Sequence, residues 1–202
     1  MRIENKEFKI YTYDELTKKA KENVRLFLLS LRQPEFFVEN VVNELTNGYG
    51  LINPHVEFSL SYSQGDGLNI YGDFCLYEIK DLLIALNEFD FTQKEWRTLE
   101  FYYDCILKDV EVPQNTTRYA YDFSSRIDIY NNWVWYLKRD RIRNINYNLI
   151  LKFENIVKNA FSTLNSHYEN EGYNYFYDIS DDEIIELCCI NQYEFLESGE
   201  LW

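Results

Sequence analysis

The stretch that decides the fold class is residues 56–74, VEFSLSYSQGDGLNIYGDF. Apolar residues alternate with polar ones before its glycines, at Val56, Phe58, Leu60 and Tyr62, and again after them, at Leu68, Ile70 and Phe74. Strict alternation is typical of a half-buried β-strand. Because glycine accepts a positive φ, Gly65 and Gly67 allow the chain to reverse within a few residues. The stretch therefore predicts an antiparallel β-hairpin with a five-residue turn.

The turn has two interpretations. In the first it is structural, because an aspartate in a tight turn accepts hydrogen bonds from nearby backbone N–H groups. In the second, Gln64 and Asp66 are exposed on a rigid hairpin and contact a small ligand or a divalent metal. The candidate binding residues here are Tyr62, Ser63, Gln64, Gly65, Asp66 and Gly67.

Helical periodicity lies on both sides of the hairpin. Thr12 and Glu15 match a capping box, which predicts an amphipathic helix that runs to about Arg32. Pro34 is placed to open a second helix that ends near Gly48. Further helices are predicted at residues 76–87, at residues 92–107, from about residue 146 to residue 169, and after a second capping box at residues 180–183.

A second pair of strands is predicted near Tyr119 and Ile129, with Trp133 and Trp135 extending the alternation. The expected fold is therefore α+β, with a small antiparallel sheet of hairpins covered by helices from both ends of the chain. The chain has only 7 glycines and 3 prolines, which argues against long linkers. We expect residues 1–202 to form a single α+β domain, with a sub-boundary near Val112 as the alternative.

The charge of the chain is strongly negative, since 20 Lys and Arg stand against 34 Asp and Glu, for a formal net charge of −14. The negative electrostatic potential of such a chain disfavours binding to a nucleic-acid backbone. From Tyr168 to Trp202 there is no Lys or Arg. The acidic end is either a solvated face or a surface for a basic partner, with Asp181, Asp182, Glu183 and Glu186 as candidate binding residues.

One run of positive charge interrupts this pattern. Lys138, Arg139, Arg141 and Arg143 lie within six residues. Four cations of this kind can contact phosphate, but within an acidic chain we expect them to pair internally or to face water.

Residues for known catalytic chemistry are few. The chain has no GxSxG, P-loop or HExxH motif, and its four cysteines form no CxxC pair. Asp66 with Asp73 or Asp122 is an alternative carboxylate pair for a divalent metal. We expect a binding protein without cofactor rather than an enzyme.

The chain also lacks the sequence features of membrane insertion and secretion. No segment approaches the run of about 20 apolar residues that spans a membrane, and residues 1–6 carry no secretion signal. We therefore expect a cytoplasmic protein without membrane contact.

Three motifs in order resemble a widespread bacteriophage and prophage family, mostly uncharacterised, with a DELS.KAK start, an SQGDG turn and an NEYEF…G ending. Here they read YTYDEL at 11–16 with KAKE at 19–22, FSLSYSQGDG at 58–67, and INQYEF at 190–195 with Gly199. The resemblance spans the chain apart from residues 78–112.

The resemblance implies a phage gene product that acts in the cytoplasm of a host bacterium, a setting in which small acidic proteins such as anti-CRISPR proteins block host defence. The expected function is an acidic interaction protein that inhibits a host defence complex by stoichiometric binding. Its partner would be a defence protein or nuclease complex, without direct nucleic-acid contact. The alternative is a small-ligand or divalent-metal-binding protein that uses the turn at residues 63–67.

Overall fold

The structure is a computed structural model that describes residues 8–63, 65–114 and 126–202. These residues form seven α-helices, three β-strands and one 3-10 turn, Tyr13–Glu15. The helices are α1 Lys18–Ser30, α2 Pro34–Tyr49, α3 Leu76–Ala85, α4 Gln93–Ile106, α5 Ile129–Arg139, α6 Tyr147–Tyr177 and α7 Asp181–Asn191. The strands are β1 His55–Ser59, β2 Gly67–Phe74 and β3 Val110–Val112.

The chain forms two compact units. Unit 1 comprises Met1–Phe36 and Gly172–Trp202, and unit 2 comprises Phe37–Glu171. Among the described residues, no helix is long and apolar enough to cross a membrane.

The sheet of unit 2 is antiparallel, with strand order β1-β2-β3. The predicted hairpin is confirmed, since β1 pairs with β2 from His55 opposite Tyr71 to Ser59 opposite Gly67. Its connection, residues 60–66, is longer than the predicted five-residue turn. With its helices and this small antiparallel sheet, the protein has the predicted α+β fold.

The prediction of a second strand pair is wrong at Ile129, and Tyr119 lies outside the described residues. The segment after Asp128 is helix α5, because the Asp128 carboxylate accepts a hydrogen bond from the Asn131 backbone N–H at 3.0 Å and caps the helix. Ile129, Trp133 and Leu137 are buried at a spacing of four residues, which is helical. Trp135, which the predicted alternation placed on the same strand face as Trp133, has 58% of its surface exposed, whereas Trp133 is buried.

Helices α2 and α6 cover one face of the sheet. The Phe37 ring of α2 packs edge-on against Phe58 of β1, with centroids 5.3 Å apart. On α6, Phe161 stacks on Phe74 of β2 at 5.6 Å. Because side chains alternate along a strand, the opposite face carries His55 and Glu57 of β1, Tyr71 and Asp73 of β2, and Glu111 of β3.

Unit 1 is built from the two ends of the chain. Tyr11 pairs with Phe195 in an isolated β-bridge, and Ala20, Val24 and Phe195 are buried in one hydrophobic cluster. Gly199 has a φ of +87°, and a Cβ there would lie 2.3 Å from the Ala20 carbonyl oxygen. The first and last motifs of the phage-family resemblance therefore pack against each other.

The first predicted capping box begins only the 3-10 turn. The Glu15 carboxylate accepts a hydrogen bond from the Thr12 backbone N–H at 2.8 Å, as expected. Helix α1 begins later, at Lys18, because the Thr17 side chain accepts the Ala20 backbone N–H and caps it. At α7 the Ser180 side chain accepts the Glu183 N–H, so the predicted start of this helix is confirmed.

Candidate functional site

The carboxylate of Asp66 organises the hairpin turn. The ligand-binding interpretation of the turn requires Asp66 to be exposed, but only 4% of its surface is accessible. Its two oxygens accept hydrogen bonds from one donor at the end of β1 and four in the turn: Ser59 Oγ at 3.3 Å, Ser61 N at 2.6 Å, Ser61 Oγ at 3.1 Å, Ser63 N at 2.8 Å and Ser63 Oγ at 2.9 Å. These contacts support the structural interpretation of the turn, because the carboxylate is already occupied.

The sequence predicted that Gly65 and Gly67 provide the positive φ angles of the turn, and the structure confirms this only for Gly65. Gly65 has a positive φ of 104°, but the second left-handed residue is Tyr62, with a φ of 54° and 71% of its surface exposed. Gly67 is simply the first residue of β2. Gln64, the other candidate ligand contact, lies outside the described residues.

The acidic start of α7 is partly neutralised inside unit 1. Asp181 forms an ion pair with Arg25 at 2.6 Å, and it accepts the Tyr13 hydroxyl at 3.3 Å. Proximity to Asp181, added to burial, raises the pKa of Tyr13. Glu183 pairs with Arg32. Two of the four candidate binding carboxylates therefore serve the internal packing of the unit.

The same two arginines also bind the turn between α6 and α7. The Arg32 guanidinium donates to the backbone carbonyls of Asn174, Tyr175 and Asp178, all at the carboxyl end of α6. Cations are favoured at this end of a helix, where the carbonyl groups have no partner within the helix. Arg25 donates to the Ile179 carbonyl next to it. Charge reversal of all four candidate carboxylates would therefore also disturb the fold.

A cleft of about 540 Å³ opens on unit 2 where the sheet meets the start of α3. We call it the sheet cleft. It is lined by Ile52, Asn53, His55, Tyr71, Gly72, Asp73, Cys75, Glu78, Asp109, Glu111, Val112, Pro113 and Gln114. Four of these residues carry carboxylates, and none of these lining residues is Lys or Arg.

Two of the cleft carboxylates face each other across the sheet. Asp73 of β2 is the direct partner of Glu111 of β3, and both side chains are exposed. Within the described part of the chain, neither side chain forms a hydrogen bond or an ion pair. Like charges directly opposite each other destabilise a sheet, so this pair does not serve the fold.

The other two cleft carboxylates are held by neutral donors. Glu78 accepts the Cys75 backbone N–H at 2.9 Å, and burial together with nearby Asp109 raises its pKa. Asp109 accepts the Tyr103 hydroxyl at 2.7 Å, and this hydrogen bond adds to burial in raising the pKa of Tyr103. No arginine or lysine offsets either negative charge through a described ion pair.

An aromatic pair completes the cleft. The His55 imidazole stacks on Tyr71, with ring centroids 5.2 Å apart and an angle of 19° between the planes. Ring faces and carboxylates both attract ammonium and guanidinium groups. The arrangement of rings and carboxylates in the cleft therefore suits an organic cation. No group of three or more His, Cys, Asp or Glu that could hold a metal ion occurs among the described residues.

Sequence reasoning missed this cleft. In the sequence analysis Asp73 was only a possible metal ligand paired with Asp66, and Asp122 was the alternative partner of Asp66. Asp66 is buried in the turn, and Asp122 lies outside the described residues. The informative feature is the Asp73–Glu111 pair, which becomes visible only once β3 is known. A three-residue strand has too few positions to show an alternating pattern.

Comparison of this chain with protein-family models, with curated proteins and with solved structures finds no match in any of the three.

Proposed function

We propose that this protein is an acidic interaction protein that binds a basic partner stoichiometrically, through the sheet cleft. One observation carries the proposal. Asp73 and Glu111 lie directly opposite each other, exposed and without a cation from the described residues, in a cleft that also holds Glu78 and Asp109. The opposed carboxylates destabilise the free protein, and a Lys or Arg side chain of a partner would relieve their repulsion. Binding of such a partner is therefore favoured.

The carboxylates that line the cleft favour a basic side chain of a partner protein. A volume of about 540 Å³ accepts one or two long basic side chains, and the carboxylates on its walls can each accept charge-assisted hydrogen bonds. The net charge of −14 would steer a basic partner toward the protein and speed association.

The sequence resemblance supplies the biological setting of the proposal. A phage-encoded protein in the host cytoplasm that blocks a defence nuclease would place carboxylates on the basic surface with which the nuclease holds nucleic acid. The partner proposed here is such a host defence complex, and the mode of inhibition is occupation rather than chemistry. The resemblance and the charge of the cleft support this proposal independently of each other.

The experiment is a quantitative affinity purification from nuclease-treated lysate of the bacterial host. Three baits are compared: the wild-type protein, Asp73→Asn with Glu111→Gln, and the matched control Asp182→Asn with Glu186→Gln. The control removes the same charge from two exposed α7 carboxylates that form no ion pair with described residues. Any captured complex is then assayed for nuclease activity with each protein added.

We expect wild type and control to capture the same basic protein in equal amounts and to inhibit it, and the cleft variant to lose both properties. Equal capture and inhibition by all three proteins, or loss only with the α7 control, would contradict the proposal.

A further inference from the structure

The carboxyl end of α5 carries a concentration of cations that the proposed function does not use. Lys138, Arg139, Arg141 and Arg143 lie at or just after the end of this helix, and all four are exposed. Within the described ranges, the side chains of Arg141 and Arg143 form no hydrogen bond or ion pair. The expectation that these cations pair internally or face water is therefore confirmed, with Arg139 paired to Asp140 at 2.9 Å.

Aromatic rings are interleaved with these cations. The Arg139 guanidinium lies 4.8 Å from the centroid of the Tyr136 ring and 5.4 Å from that of Trp135. Lys108, which follows α4, lies over the Tyr136 ring at 5.4 Å. We call these side chains the basic patch: Lys108, Trp135, Tyr136, Lys138, Arg139, Arg141 and Arg143.

Trp135 is the unusual member of the patch. Its side chain has 58% of its surface exposed, although tryptophan is mostly buried in folded proteins. It packs edge-on against Tyr136, with ring centroids 4.7 Å apart. An exposed indole beside guanidinium groups is a combination on which an unpaired base can stack.

The net charge of the chain does not prevent an anion from reaching this patch. At physiological ionic strength, exposed charges more than about 8 Å apart are largely screened. Carboxylates near the patch include Asp109, which follows Lys108 in the chain, and Asp140, which is paired with Arg139. A third is Asp104, which together with Asp140 contributes to the raised pKa of Cys105. Against these three, the patch offers five cations.

We propose that the basic patch binds single-stranded nucleic acid, with Trp135 stacking on a base and the cations of the patch contacting the phosphate backbone. A single strand is favoured over a duplex because the bases of a duplex are already stacked and leave Trp135 no partner. Net charge alone had suggested no direct nucleic-acid contact. No residue of the patch lines the sheet cleft, so each proposal can fail without the other.

The test measures fluorescence anisotropy of a labelled oligothymidine, and of a duplex of equal length, with the full chain over a range of salt concentrations. For the single strand, we expect log Kd to rise with log salt by about 0.7 for each phosphate contact. Arg141→Gln with Arg143→Gln should lower that slope by about 1.4. Trp135→Ala should weaken binding by about tenfold.

The matched control is Lys94→Gln with Arg97→Gln, which removes two exposed cations of α4 from the same unit. It should leave both the affinity and the salt slope unchanged. The proposal is overturned if the wild-type protein shows no salt-dependent binding of oligothymidine, if the duplex binds as tightly, or if the control loses as much affinity as the patch variants. Stronger binding of an oligoglutamate of equal charge would equally overturn it.

Discussion

The two acidic regions of this protein carry similar charge but differ in what surrounds them. At the start of α7, Asp181 and Glu183 pair with Arg25 and Arg32 inside unit 1. In the sheet cleft, Asp73 faces Glu111 and no described cation pairs with either. A run of acidic residues in a sequence is therefore a poor guide to a binding surface, because the fold decides which carboxylates already have a cation.

Substitutions in the two regions should also change the stability of the protein in opposite directions. Removing one partner of an ion pair that is partly buried leaves the other without compensation and costs stability. Removing one of two opposed carboxylates relieves repulsion. Stability measurements on matched variants can therefore separate carboxylates that hold the fold from carboxylates that are available to a partner.

The largest effect is expected for Arg32→Ala. The Arg32 side chain is 14% exposed, pairs with Glu183 and binds three backbone carbonyls at the end of α6. Its loss should lower the free energy of unfolding by about 3 kcal/mol, measured by urea titration with circular dichroism. Arg97→Ala, at an exposed α4 position, is the control, with an expected change within about 0.5 kcal/mol. Equal effects of the two substitutions would remove the basis of the comparison.

A smaller loss of stability is expected for Asp66→Ala. Asp66 represents a third environment for a carboxylate, since it is buried and bound by serine donors rather than by a cation. It removes the acceptor of five hydrogen bonds from serine groups and leaves backbone N–H groups of the turn without a partner, which should cost about 2 kcal/mol. Glu171→Ala, at an exposed α6 position, is the control. The opposite outcome has two parts: Asp66→Ala keeps full stability, and a nucleotide or a divalent cation stabilises the wild-type protein but not the variant. That outcome would support the ligand-binding interpretation of the turn over the structural one.

Asp73→Asn with Glu111→Gln should change stability in the opposite direction. Because repulsion across the sheet is relieved, the free energy of unfolding should rise by up to about 1 kcal/mol at low salt. The gain should shrink as salt screens the pair. A clear loss of stability would mean that these carboxylates serve the fold, which would sink the assignment of the cleft to a partner.

The smallest expected effect is a dependence on pH at Glu78. Its folded-state pKa is raised by burial and by Asp109, so its contribution is fully present at pH below the ordinary value for glutamate. That contribution is lost as the pH rises through the raised pKa. Glu78→Gln should therefore flatten the pH profile of stability just above pH 4.5, and an unchanged profile would contradict the assignment.

Local patterns in the sequence predicted much of the fold. Two strands with period-two alternation around Gly65 gave the hairpin correctly, and Pro34 marked the start of α2, since both features depend on near neighbours in the chain. The interpretation of the segment at Ile129 as a strand was wrong because Ile129 and Trp133 are buried four residues apart, a spacing that both periods allow. Asp128, which caps α5, was the overlooked sign of a helix.

The candidate sites depended on contacts between distant residues. The pairing of α7 carboxylates with Arg25 and Arg32 joins the two ends of the chain. The sheet cleft needs β3 placed beside β2, and no local pattern announces a strand of three residues. The charged residues could be counted from the sequence, but the ion pairs that neutralise some of them depend on the fold.

The most direct test of the central claim is a titration of the ¹⁵N-labelled protein with a short peptide rich in Lys and Arg, followed by amide chemical shifts. The account predicts that shifts concentrate in β2 and β3 around Asp73 and Glu111, and that Asp73→Asn with Glu111→Gln abolishes them. Shifts concentrated at the start of α7, around Asp181 and Glu183, would contradict it, because those carboxylates would then be available to a partner despite their internal ion pairs.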